Sequence, residues 1–255
     1  MEVENFILDD SFLLRTAGTS DGSQDKYFKD DLWFKKDYFG GEGLAESFAS
    51  KLLQNCGVNE SDFVNYIPCK INGKQGCYSK NFLSKNETFV TFYRLYKNIY
   101  GRDLATVCSR MDYDDAIEYV ISFSKEQTGL DIKNYLANIF TLDFLILNED
   151  RHFNNFGLIY NEKEFRLAPI FDNGKSFFIG NKRAAEFTSL KEKLKSSFSK
   201  CFSANFATNL KYLKKYCTLN ISDDILKGID EPEYAFFVQV VKSRIDELKK
   251  LGVIN

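Results

Sequence analysis

The hydrophobic period of this sequence changes near residue 88, and that change limits the folds open to it. Before it, short apolar and polar stretches alternate between turn signals. Ser11 to Ala17 reads as a strand, and the small residues from Gly18 to Gln24 as a turn. Tyr27 to Lys36 holds two more strands around Asp30-Asp31. Gly40-Gly41 interrupts the chain. Glu42 to Cys56 follows with helical spacing, which puts Leu44, Phe48, Leu52 and Leu53 on one face. Phe63 to Ile71 and Gln75 to Leu83 read as a strand pair joined by Asn72-Gly73, a dipeptide suited to a tight hairpin. From about Thr88 onward helices dominate. The longest, Asp131 to Leu147, carries Ile132, Tyr135, Leu136, Ile139, Phe140 and Leu147 on one stripe, and others are expected at Ala204 to Tyr216 and Pro232 to Leu251. Gly157 to Tyr160 and Glu164 to Ala168 flank Asn161-Glu162-Lys163 as a short hairpin. Strands first and helices after predict an α+β protein of two lobes, divided as 1–83 and 84–255.

Composition removes several function classes. The chain has 255 residues, 44% of them apolar, and a net charge of −2. That describes a globular protein rather than a disordered one, without the basic excess of a nucleic-acid binder. No apolar run is long enough to span a membrane. Met1 to Asp10 carries acids and lacks a basic start, so a secretory signal is not expected. A cytoplasmic protein is, with non-classical secretion as an effector left open. The six cysteines form no Cys-x-x-Cys pair and His152 is the only histidine, which excludes most zinc arrangements. The thiols are expected to be buried and reduced.

The chemistry concentrates in Asn148-Glu149-Asp150-Arg151-His152-Phe153-Asn154-Asn155-Phe156-Gly157, between a helix and a hairpin. Asp172-Asn173-Gly174 follows that hairpin. Phosphoryl transfer needs a carboxylate near the attacking hydroxyl and oxygen ligands that hold Mg²⁺ against the phosphates. Protein kinases place a catalytic Asp and a metal-binding Asn five residues apart, then add an Asp from an Asp-Phe-Gly turn. Asp150 and Asn155 have that separation, and Asp172 sits in an Asp-x-Gly turn. Asp and Asn in loops ordinarily form turns and caps, and Asn154 is read that way. His152 can act as a base or brace the loop by hydrogen bonds, and bracing is the expectation.

The block Asp150-Arg151-His152-Phe153-Asn154-Asn155, together with Leu167-Ala168-Pro169-Ile170-Phe171-Asp172-Asn173-Gly174, resembles the HipA-like serine/threonine kinases and, within them, the compact CtkA-type group. Leu32-Trp33-Phe34-Lys35 is similar to the strand that bears the family's nucleotide lysine. Glu42-Gly43-Leu44-Ala45-Glu46 is similar to its first helix, and Gly76 to Leu83 to the strand entering the inter-lobe hinge. The likeness covers roughly residues 11 to 180.

The resemblance implies ATP and Mg²⁺ as cofactors. Asp150 would be the base or hydroxyl-orienting residue, and Asn155 and Asp172 would hold the metal. Lys35 would contact the α and β phosphates, steadied by Glu46, with Glu42 the second choice. Lys36 is the rival lysine, but strand alternation puts Lys35 and Trp33 on one face and Lys36 on the other. Asn81 and Phe82 would lie against the nucleotide at the hinge. Thr16 to Ser23 resembles the phosphate loop, so Gly18, Thr19, Ser20, Gly22 and Ser23 would cradle phosphates through backbone N–H groups. Its hydroxyls are candidates for self-phosphorylation.

From Lys175 to Lys200 there are seven basic residues and two acidic ones. Such a stretch is ordinarily a solvated helix face; as a docking surface it would suit an acidic or phosphorylated protein. The Asp-Arg-His order, shared with phosphatidylinositol kinases, keeps a lipid substrate as an alternative to a protein one. A nucleotide-binding regulatory module without catalysis is the third reading.

Overall fold

The computed structural model describes residues 3–14, 24–252 and 254. A five-stranded sheet has the order β1-β4-β5-β3-β2 and comprises β1 (Asn5–Phe6), β2 (Lys26–Lys29), β3 (Leu32–Lys36), β4 (Ile67–Ile71) and β5 (Lys74–Lys80). Its two tight hairpins follow from their turn residues. Asp30 and Asp31 have φ of 51° and 61°, and Asn72 and Gly73 have 51° and 78°. Paired positive φ values match the twist of the flanking strands. β1 runs parallel to β4 along the sheet edge.

The strand expected at Ser11 to Ala17 is not one in its described part. Asp9 accepts a hydrogen bond from the Ser11 N–H at 2.8 Å, which caps a single 3₁₀ turn over Asp10–Phe12. Such local side-chain bonding competes with a ladder. Leu13 alone bridges to Tyr27. The expected phosphate loop, including Gly18, Thr19, Ser20, Gly22 and Ser23, lies outside the described residues.

Helix α1 (Glu42–Asn55) lies directly on β5. Gly43 permits this, and Gly76 permits the close passage of β3 beside the same strand. A Cβ on Gly43 would come within 2.5 Å of the Gly76 backbone, and one on Gly76 within 2.3 Å of the Lys35 carbonyl oxygen. Asp37 caps the helix from the preceding loop, accepting from Gly41 N at 2.6 Å and Gly43 N at 2.8 Å. The anchoring face is aromatic: Phe48 meets Phe177, Tyr234 and Phe237 at 5.3, 5.3 and 5.5 Å between ring centroids.

Helices dominate from about Thr88 as expected, but residues 88–91 come before the first of them. They form strand β6 (Thr88–Thr91), which pairs with β7 (Gly157–Tyr160), itself paired with β8 (Phe165–Leu167). The sequence Thr-Phe-Val-Thr is β-branched and aromatic, a composition that fits a pleated sheet. The Thr91 hydroxyl then accepts from Arg94 N at 3.1 Å and starts α2 (Phe92–Tyr100). The remaining helices are α3 (Leu104–Cys108), α4 (Tyr113–Thr128), α5 (Lys133–Ile146), α6 (Lys182–Ala185), α7 (Leu190–Ser196), α8 (Phe206–Leu213) and α9 (Ala235–Lys250). Short 3₁₀ turns, Lys214–Tyr216 and Pro232–Tyr234, flank α8 and α9 inside the spans expected for them.

α5 is the centre of the molecule. From Leu136 to Leu147 every residue except Asn138 is buried, and a helix apolar nearly all round belongs inside a core. It packs against α8 and α9 and touches α1. At about 1.5–3 kcal/mol for each large apolar side chain buried, this helix is a major source of cohesion. All six cysteines are free. Cys56, Cys69, Cys77 and Cys108 are buried, and burial pushes the Cys56 and Cys108 thiols up to about 12. No helix among the described residues is long and apolar enough to cross a membrane.

Candidate active site

α5 ends where the chemistry begins. Leu147 takes a left-handed conformation, φ 56°, and turns the chain into the Asn148–Asn155 loop. Asp143, in the last turn of the helix, faces Arg151, and both side chains are fully buried. The guanidinium gives Nε at 3.0 Å to Asp143 Oδ2 and an Nη at 3.0 Å to Oδ1. Its remaining donors reach the carbonyls of Asn155 (2.9 Å) and Phe171 (2.6 Å) and the Asn173 side chain (2.6 Å). Arg151 therefore joins the loop carrying Asp150 and Asn155 to the turn carrying Asp172. A rigid five-donor fork suits that task.

The Asn155 amide nitrogen donates to the Asp150 carbonyl at 2.9 Å, which fixes the orientation of the side chain. Its Oδ1 is buried with no hydrogen-bond partner. A buried oxygen acceptor left open in this way is the position a hard cation would fill. Asp172 has φ 63°, a conformation that costs a non-glycine residue about 1–2 kcal/mol. The turn is held by Asn173 N donating to Glu46 Oε2 at 2.7 Å and by the Asn148 amide on the Asp172 carbonyl at 3.4 Å. Burial alone would raise the Asp172 carboxyl, but Lys35, Lys26 and Arg151 overcome it and hold the group well below the carboxylate range. The side chains present thus fit Mg²⁺. Among the described residues no three His, Cys, Asp or Glu side chains form a metal cluster, so a cation here would draw part of its shell from phosphates and water, the usual pattern for Mg²⁺.

Lys35 is buried between two carboxylates, 2.6 Å from Glu46 Oε1 and 2.8 Å from Asp172 Oδ1. Burial opposes its charge, and Asp172 and then Glu46 outweigh that and raise it well above the ordinary lysine value. Burial likewise pushes Glu46 up, against the pull of Lys35. Lys36 points away, paired with Asp25 and 3.3 Å from the Tyr27 hydroxyl, as alternation requires. Glu42 works elsewhere, accepting Phe39 N at 2.8 Å and Tyr38 N at 3.1 Å.

At the end of β5, the Asn81 side chain accepts from Leu83 N at 3.3 Å and from the Trp33 indole at 3.3 Å. It is a turn former whose polar atoms are engaged within the chain. Phe82 stands 5.7 Å from Phe89 and 6.0 Å from Phe171, ring to ring. With Val64, Tyr66 and Cys77 these rings make an apolar wall beside Lys35, whose Nζ lies 4.8 Å from the Tyr66 ring centre.

His152 is half-buried, and its Nδ1 accepts from Asn154 N at 3.3 Å, a bracing bond within the loop. Burial pushes the imidazole down, while Asp150 and Asp172 pull it up. Asp150 meets Lys200, whose ammonium donates to Oδ1.

Several of these partners carry no motif in the sequence. Asp143 and Lys26 resemble any helix or strand charge. Lys26 becomes informative only through its register opposite Lys35. In the basic stretch, Lys182, Arg183, Lys191 and Lys195 are exposed on α6 and α7, the solvated faces expected. Lys175 and Lys200 are half-buried instead.

A crystal structure of the Helicobacter pylori proinflammatory kinase CtkA superposes with a TM-score of 0.65 over 90% of this chain and 92% of that one, at 17% identity. The fold is that of CtkA. Shewanella oneidensis HipA, in its complex with HipB and operator DNA, aligns over 97% of this chain and 69% of that one at 10% identity. Its TM-score of 0.43 is too low to bear on the fold. No family model and no curated protein matches the sequence. The CtkA-like fold puts the lysine–glutamate pair on the sheet and α1, and the Asp150 loop at the end of α5.

Proposed function

We propose that this chain is an ATP- and Mg²⁺-dependent serine/threonine protein kinase, able to phosphorylate itself. The observation that carries the proposal is the Lys35–Glu46–Asp172 cluster joined through Arg151 to the Asp150–Asn155 loop. The parts divide the work by position. Lys35 orients the α and β phosphates, and Glu46 keeps its ammonium aimed. The wall of Phe82, Phe89 and Phe171 takes the base. Asp150 accepts the hydroxyl proton as the γ-phosphoryl group passes to the acceptor. Asn155 and Asp172 would hold Mg²⁺, which supplies compensation for phosphate charge when bound. Positioning and charge stabilisation account for most of the catalysis in such transfers.

Purified chain, incubated with labelled ATP and Mg²⁺, is the test. Label on protein supports the reading. Label on phosphatidylinositol vesicles alone would replace it with a lipid kinase, and nucleotide binding without turnover with a regulatory module. Asp172→Ala should abolish transfer while the variant stays folded, since removal of a metal carboxylate leaves phosphate charge uncompensated. Turnover at the wild-type rate in that variant would defeat the metal assignment. Mass spectrometry should find phosphate on a hydroxyl among Thr16, Thr19, Ser20 and Ser23 in wild type and not in Asp150→Asn.

A further inference from the structure

An exposed lysine–aspartate pair usually contributes little, because a long side chain has many alternatives to a single geometry. The pair between Lys200 and Asp150 differs in how its backbone is held. Ser199 N donates to the Ala204 carbonyl at 2.8 Å, which closes a turn around Lys200. The amide of buried Asn209 donates to the Ser199 hydroxyl at 2.8 Å and approaches the Ser203 and Lys200 carbonyls at 3.3 and 3.5 Å. Cys201, at φ 73°, gives its thiol to the Arg151 carbonyl at 3.1 Å. Phe198 N approaches Glu149 Oε1 at 3.4 Å. The turn is therefore fastened to the residues on both sides of Asp150, and it presents one ammonium to that carboxylate. Lys200 keeps a side chain 40% exposed, against 10% for Lys35.

We infer that Lys200 is a catalytic residue of the phosphoryl transfer proposed above, contacting the γ-phosphoryl group while it remains on Asp150. The inference rests on the kinase reading. In the transfer, the acceptor oxygen forms a bond to the γ-phosphorus and the bond from that phosphorus to the bridging oxygen of ADP breaks. The hydroxyl proton passes to Asp150, and Lys200 takes no part in that transfer. An ammonium has three donors, enough to serve the carboxylate and two phosphoryl oxygens together. It holds Asp150 beside the hydroxyl in the ground state and compensates charge on the moving group in the transition state, as its attraction to Asp150 weakens with the arriving proton.

The experiment compares wild type, Lys200→Met, Lys200→Arg and the α7 surface control Lys195→Met. Thermal stability, ATP affinity and the kcat and KM of transfer to dephosphorylated casein and to the chain itself are measured. Lys200→Met is expected to lose about 10²-fold in kcat, the scale for one charge stabiliser, with ATP affinity and melting temperature close to wild type. Lys200→Arg should regain at least a tenth of the wild-type kcat, and Lys195→Met should match wild type. An unchanged kcat in Lys200→Met overturns the inference, and so does a faster one, which would make the ammonium a plug. Loss of kcat in step with ATP affinity or folding overturns it in favour of a structural role. A wild-type chain that labels neither acceptor fails the kinase reading itself, before any variant is compared.

Discussion

The two ends of the site rest on unequal foundations. The Asp150 loop rises from α5, inside one continuous core that reaches from Ala45 to Leu248. The Lys35 end stands on a sheet whose own cores are small: Leu8, Tyr27, Phe34, Cys69 and Ile71 in one, and Val64, Tyr66 and Cys77 in the other. α1 belongs to the large core although it packs on the sheet, so Glu46 is anchored from the helical side and Lys35 from the thin side. The difference teaches which end can move. Loop geometry is set by the large core, while the lysine end depends on two ion pairs and one hydrogen bond that join the sheet, α1 and the Asp172 turn, and a region backed by few apolar contacts opens locally at lower cost.

The contrast is sharpened most by Arg151→Met. It leaves Asp143 charged and unpaired in the core, which should cost about 3–5 kcal/mol in urea unfolding; adding Asp143→Leu should recover much of it. A small loss in the single variant would show that the core does not carry the loop. Next comes Lys35→Ala. Activity should fall about 10²–10³-fold, while stability changes by only about 1–2 kcal/mol, because Asp172 is partly exposed and Glu46 keeps the Asn173 N–H as a partner. Equal damage to folding in Lys35→Ala and Arg151→Met would break the comparison.

Glu149 offers a pH test of the loop side. Burial raises its carboxyl to about 7, against the Asn181 amide that donates to both oxygens. An acid raised on folding contributes stability that is complete below its unfolded value, near 4.5, and is lost as pH climbs through about 7. Between pH 5 and 8 wild type should therefore lose stability relative to Glu149→Gln, by on the order of 3 kcal/mol at most. Parallel pH curves for the two proteins would remove Glu149 from the account. The smallest effect is expected for Lys36→Ala: within about 0.5 kcal/mol of wild type, as for an exposed pair, and with activity kept. A kinase assay that ranks Lys36 above Lys35 would reverse the facing of β3.

Much of this was legible in the sequence where the signal is local. Asp30-Asp31 and Asn72-Gly73 mark their hairpins because few residues accept positive φ, and α5 is visible from its stripe. The spacing of Asp150, Asn155 and Asp172 pointed to one place, and Arg151 does join those segments. What was hidden is long-range. β1 is two residues long and exists only by pairing with β4. β6 runs straight into α2, so its four residues were absorbed into the helical region. Asp143 gains meaning only opposite Arg151, eight residues on, and Lys200 only after the chain returns across fifty.

The contact between Gly43 and Gly76 has a consequence for how such a sequence can drift. Most tight contacts tolerate change, because a larger residue on one side is matched by a smaller one on the other. Here both sides are already at the minimum, and neither backbone can retreat without parting α1 from β5. That separation would draw Glu46 off Lys35, whose bond is 2.6 Å long. The two positions therefore form a ratchet against substitution, with no compensating partner to trade with. Among active relatives both should remain glycine however far the surrounding residues diverge: an active relative with a side chain at position 43 would have to build its lysine–glutamate pair on a different spacing of helix and strand, and one with a side chain at 76 would have to part β5 from the Lys35 carbonyl.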